Sequence, residues 1–299
     1  MASRASTLLG VIIVLLALGV IPVSAPAAAP AGRIVVVAAE NFYGDIVGQL
    51  GGDHVAVTSI ISDPNVDPHE FASSAKDAAA VANARLVIQN GLGYDAFMDR
   101  LMKASPNPQR RLIVVADLTA HRKGDNVHIW YDPRTIPKVA QAVYEALVQI
   151  DARNAASFRN RYRAFRASLP PLTQAIDGIR TQYARAPVAA TEPVFDYMAQ
   201  ATGLNVITPM SFQRAIEKGD DPPAAALAVM EDQLKQHQAK VLLYNTQTVS
   251  PITTRVQQLA KRVGVPAVGV SETEPPGKSF QQWMLSQLEQ LRVALGQGR

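Results

Sequence analysis

Cysteine is absent from all 299 residues of the chain. Its absence excludes disulfides, a thiolate metal site and a lipid-carrying cysteine near the N-terminus. Charge is also modest: 18% of residues are charged and the formal net charge is +4. The basic residues are scattered. Their densest group, Arg159, Arg161, Arg163 and Arg166, alternates with apolar residues as on a solvated helix face rather than a phosphate-binding patch, so no nucleic-acid partner is expected. Long apolar runs are missing too, apart from Leu8–Val20, which is shorter than the roughly 20 residues a spanning helix needs. Arg4 precedes that run, and the small residues Ser24-Ala25-Pro26-Ala27-Ala28 follow it. This is the layout of a secretory signal, with cleavage expected after Ala27. The sequence therefore predicts a free periplasmic protein that acts as a monomer.

Beyond residue 27, short Val- and Ile-rich runs alternate with amphipathic stretches. Near-continuous apolar runs suit parallel strands covered on both faces. Four such strands are predicted at Arg33–Ala39, Val55–Ile61, Arg85–Gln89 and Arg111–Ala116. Four more follow at Pro187–Thr191, Leu204–Thr208, Lys240–Tyr244 and Pro266–Val270. Helices are predicted between them at Ala75–Ala84, Tyr94–Lys103, Val194–Ala201, Pro223–His237 and Pro251–Val263. From Pro133 to about Ala184 no strand is predicted, only helix, which Pro170-Pro171 should kink or interrupt. The fold class is thus α/β, with two similar lobes of parallel sheet joined by a long helical backbone. The boundaries are residues 1–27 for the signal, 28–150 for the first lobe, 151–186 for the connector and 187–299 for the second lobe.

Only five histidines are available, His54, His69, His121, His128 and His237. In parallel α/β sheets, ligands gather beyond the carboxyl ends of strands. His69 lies in the loop after the second strand, His128 after the fourth, Glu192 directly after the fifth and Glu272 directly after the eighth. A lone loop histidine is usually solvated, but four such residues at corresponding strand ends could face one cleft. Imidazole suits zinc and other transition metals, and carboxylate widens the range toward manganese. His54 reads as part of a turn and His237 as the end of an exposed helix. The sequence Gly277-Lys278-Ser279 ends like a phosphate loop, but Glu272 stands where that motif requires glycine.

The segments Asp67-Pro68-His69-Glu70-Phe71 and Asn126-x-His128-x-Trp130-x-Asp132-Pro133 closely resemble the two histidine motifs of the zinc/manganese solute-binding proteins of ABC importers, the cluster A-I type. Thr191-Glu192-Pro-Val-Phe195 through Gly203-Leu204 resembles that family's third motif, and Val268-Gly-Val-Ser-Glu272-Thr-Glu274-Pro its fourth. The resemblance implies one divalent metal ion, zinc or manganese, as cargo at the lobe interface, with His69, His128, Glu192 and Glu272 as ligands. It also implies an ABC permease of the inner membrane as partner. Glu192 stands where many zinc-binding members have histidine, which leans the ligand set slightly toward manganese. Glu274 competes with Glu272 for the fourth position. The loop before His128 is short, and His121 is its sole remnant of a histidine-rich segment. The rival readings are a secreted metal-dependent hydrolase and a two-lobed protein for an organic ligand or metal chelate. No H-E-x-x-H helix or G-x-S-x-G elbow supports the hydrolase.

Overall fold

The computed structural model describes residues 32–298. The expected signal segment, residues 1–27, lies outside the described residues. Among those described, no helix is long and apolar enough to cross a membrane.

The first lobe runs β1 (Ile34–Glu40), α1 (Asn41–Gly51), β2 (Val55–Ile61), α2 (Ala75–Asn83), β3 (Leu86–Gln89), α3 (Ala96–Ala104), β4 (Arg111–Val114) and α4 (Thr135–Ile150). The connector is α5 (Ala155–Ala167) and α6 (Pro170–Tyr183). The second lobe runs β5 (Pro187–Ala190), α7 (Asp196–Ala201), β6 (Asn205–Val206), α8 (Met210–Glu217), α9 (Ala224–Lys235), β7 (Leu242–Asn245), α10 (Pro251–Val263), β8 (Ala267–Val270) and α11 (Phe280–Gln297). Each lobe holds a four-stranded sheet, ordered β2-β1-β3-β4 in the first and β6-β5-β7-β8 in the second. Every ladder is parallel. The two lobes therefore share one topology, and the carboxyl ends of their strands meet at the cleft.

All eight predicted strands are present. The sixth shrinks to Asn205–Val206, at the edge of its sheet. The connector breaks at Ser168-Leu169 and restarts with Pro170 at the first helical position, where the missing N–H has no intrahelical partner to lose. On α5 the arginines are the outer face, while Phe158 and Phe165 are buried and Tyr162 stacks on Tyr144 of α4. Three helices have no counterpart in the sequence reading: α1, α8 and α11. Of these, α11 begins with a capping box in which Ser279 accepts from the Gln282 backbone N–H. Ser279 is the last residue of the phosphate-loop mimic, and here it caps a helix.

The largest apolar cluster does not stop at a lobe boundary. It joins Val36, Phe42 and Trp130 of the first lobe to Phe158 and Ile176 of the connector, and to Val188, Phe195 and Trp283 of the second.

Candidate metal centre

His69 sits on a single 3-10 turn, Pro68–Glu70, after β2. Asp67 caps that turn, its Oδ1 accepting the His69 backbone N–H at 2.9 Å, so the Asp-Pro-His spelling fixes where the imidazole emerges. His128 precedes the 3-10 turn Ile129–Tyr131 and is fully buried. Asn126 Oδ1 accepts the His128 backbone N–H at 3.0 Å and faces its Nδ1 at 2.7 Å. The Asn126 amide nitrogen donates to the Pro193 carbonyl of the second lobe, which leaves Oδ1 as the acceptor. Asn126 thus fixes Nδ1 of His128 as a donor, which leaves Nε2 as the ring atom that faces the site.

Glu272 enters from the second lobe and is also fully buried. Its Oε2 lies 3.2 Å from His128 Nε2 and 3.4 Å from His69 Nε2, and it accepts the Tyr94 hydroxyl at 2.9 Å. The two imidazole centroids are 5.7 Å apart. Glu192, 3% exposed, follows β5. One of its oxygens accepts from the Asn245 amide at 3.0 Å. The other, Oε1, is buried without a hydrogen-bond partner. Three of the four predicted residues thus meet directly, and the fourth is joined to Glu272 through a shared amide.

Glu274 is turned elsewhere. Its backbone N–H donates to Asn41, and burial and the charge of Asp45 raise its carboxyl to about 9. His121 Nε2 reaches Asp132 at 3.3 Å, and its ring packs on Tyr197. His54 lies edge-on to Phe158.

Two acidic residues that the sequence reading did not count as ligands adjoin the site. Asp67 groups with His69 and Glu272, and Glu217 groups with His69 and His128, its Oε1 3.8 Å from His128 Nδ1. Glu217 ends α8 and, with His69, Tyr94 and Lys218, lines an open cleft of about 390 Å³. No signal pointed to it, because α8 itself was unread.

The charges interlock. Burial alone would lower the His69 pKa, but the hydrogen bond and charge of Glu272, with the charges of Asp67 and Glu217, raise it to about 9. Burial works against the Glu272 carboxylate, yet His128 and His69 hold it far below its ordinary range. Glu192 is pushed up to about 8 by burial and by the nearby charge of Glu272. The site thus presents two imidazoles and two carboxyls whose protonation states are set by one another, with Glu272 held ionised and His69 held toward its charged form.

Known proteins share this architecture. The chain is similar to the zinc-binding protein TroA of Treponema pallidum, 26% identical over 152 residues that cover 48% of this chain and 49% of the relative. It is similar also to the manganese-binding lipoprotein MntA of Halalkalibacterium halodurans, 23% identical over 177 residues covering 58% and 59%. The matched stretches thus span about half of these curated relatives. The solved structure of periplasmic zinc-binding protein TroA from Treponema pallidum superposes with a TM-score of 0.75 at 18% identity, covering 88% of this chain and 99% of that one. The family model for the periplasmic component A of the zinc-uptake complex matches residues 36–294, from within β1 to within α11. Over that span, with its two like-ordered parallel sheets, the chain belongs to the zinc-uptake complex component A family.

Proposed function

We propose that the protein captures one divalent transition metal ion, zinc or manganese, in the periplasm and delivers it to a cognate ABC permease of the inner membrane. His69 and His128 supply neutral imidazoles, and Glu192 and Glu272 supply carboxylates. The observation that carries this reading is the pair of separations between Glu272 Oε2 and the two Nε2 atoms, 3.2 and 3.4 Å. Ligands bonded at about 2.0–2.1 Å to one tetrahedral ion lie about 3.3 Å apart. The unpartnered Glu192 Oε1 supports it further, since a buried polar atom without a partner is costly unless an ion supplies the missing interaction. Four protein ligands leave no open position for a reacting water, which supports capture and release over hydrolysis. Names among the relatives point the same way, one described as zinc-binding and another as manganese-binding.

The test is metal content and affinity. Protein isolated from its native periplasm should carry one equivalent of zinc or manganese. His128→Ala should weaken binding by more than the roughly 10–100-fold that loss of an outer partner costs, and His69→Ala should do likewise. Near-normal affinity in both variants would refute the ligand assignment.

A further inference from the structure

His69 borders the cleft: its side chain is 23% exposed, whereas those of His128 and Glu272 are fully buried. It is carried by residues 62–74, between β2 and α2, a segment whose one regular element is the 3-10 turn Pro68–Glu70. With so little structure of its own, the segment opens as readily as its outside contacts allow. Across the lobe boundary it accepts hydrogen bonds from the loop between β7 and α10. Gln247 Nε2 donates to the Val66 carbonyl at 2.8 Å, and the Thr248 hydroxyl donates to Asp67 Oδ2 at 3.2 Å. Asp67 is the residue whose other oxygen caps the His69 turn.

The opposite end of the Gln247 amide is equally committed. Its Oε1 accepts the backbone N–H of Glu272 at 2.7 Å and that of Thr273 at 3.0 Å. An oxygen facing two N–H groups and a nitrogen facing a carbonyl exclude the flipped amide. Asn245 Oδ1 accepts the Gln247 backbone N–H at 3.0 Å. Gln247 is 6% exposed, so water competes little for these bonds. One carboxamide thus joins the backbone of Glu272, in the second lobe, to the backbone three residues before His69, in the first. The link is made of protein atoms alone.

We propose that Gln247 is a positioning residue for the captured ion: its carboxamide couples the His69 loop to the Glu272 loop and so governs how fast the ion leaves. The proposal rests on the capture reading and adds a residue that controls release. An ion leaves by losing its ligands in turn, and the ligand on the least-held segment goes first. For His69 to swing away, Val66 and Asp67 must part from Gln247 and Thr248. With the Gln247 amide in place, an opened loop is drawn back before His128 and Glu272 let go, because a tethered contact re-forms at high effective concentration. Encounter with the ion is governed instead by the charges of the cleft, which an uncharged amide does not alter.

The test is Gln247→Met, which keeps the length of the side chain and removes both halves of the link. Release of zinc into excess chelator, followed by stopped flow, should be at least about tenfold faster than in the wild type, the lower end of what loss of an outer partner costs. The association rate should be unchanged. In the zinc-loaded variant, amide exchange should rise in residues 63–71 and stay as in the wild type in residues 127–132. An unchanged release rate, or exchange raised equally in both segments as a general loss of stability would raise it, overturns the proposal. The metal-free wild type decides independently of whether the variant folds. There the backbone N–H groups of Glu272 and Thr273 should already exchange slowly, and fast exchange overturns the proposal. Wild-type protein that binds neither zinc nor manganese would bring down the capture reading itself, whereas bound zinc with an unchanged release rate in the variant removes only the role of Gln247.

Discussion

Two protons stand between the metal-free site and the loaded one. His69 titrates at about 9 because Glu272, Asp67 and Glu217 outweigh the cost of burying its charge, and Glu192 at about 8 because it is buried beside Glu272. At neutral pH both hold a proton, yet a metal needs the free imidazole and the ionised carboxylate. Binding at pH 7 should therefore release about two protons, and affinity should climb with pH up to about 8, less steeply to about 9, and then level off. Calorimetry in buffers of different ionisation enthalpy reads the count directly, and release of no protons would contradict this picture of the site. On the capture reading, acidification should loosen the ion. Glu217 contributes to the same balance, since its charge helps to raise His69. Glu217→Gln should lower the His69 pKa, followed by the shift of its imidazole resonance with pH, and an unmoved titration would show that the carboxylate is screened at the cleft mouth.

Loops carry every proposed ligand, so the helices behind those loops decide how well each ligand is held. α11 matters most for Glu272. Its Trp283 is 1% exposed and packs against Phe42 and Tyr131, with its indole N–H donating to Ser271 Oγ at 3.0 Å. Its Gln287 accepts the Tyr131 hydroxyl at 2.8 Å. Trp283→Ala empties a site between the lobes and should cost about 3–5 kcal/mol in denaturant unfolding; an unchanged midpoint would mean that α11 is dispensable. The same helix marks the limit of what the sequence discloses. Strands built from Val and Ile runs, such as Ile34–Glu40, were legible because burial on both faces demands a near-continuous apolar run. α1 was not, because Gly44, Gly48 and Gly51 interrupt its pattern and packing rather than propensity holds it. α8 has only eight residues, and with it Glu217 stayed hidden. That His69, His128 and Glu272 come together was legible because strand ends and motif register both point to them. Asn245 was not, since an amide that ligates nothing leaves no mark until the two carboxylates beside it are placed.

The two sheets have the same strand order, which invites a picture of lobes that swing apart, but the core argues otherwise. One apolar cluster runs through the first lobe, the connector and the second lobe. At the interface, Trp130 packs on Phe42, Phe42 on Trp283, and Tyr131 on both Phe195 and Trp283. Each such ring buries roughly 150–250 Å², and at about 25 cal/mol per Å² exposing several of them costs on the order of 10 kcal/mol or more. Across the cleft mouth the lobes are held by far less: Gln247 donates to the Val66 carbonyl at 2.8 Å, and Thr248 donates to Asp67 at 3.2 Å. An ion bound between His69 and Glu272 can tighten those loops without moving the aromatic interface, since local segments open at far lower cost than a packed core. Metal loading should therefore leave the radius of gyration from small-angle scattering unchanged while raising amide-exchange protection in residues 63–71 and 245–249. A clear contraction on loading would mean that the aromatic interface opens after all, and that the loaded state differs by lobe closure rather than by the set of the loops around the ion.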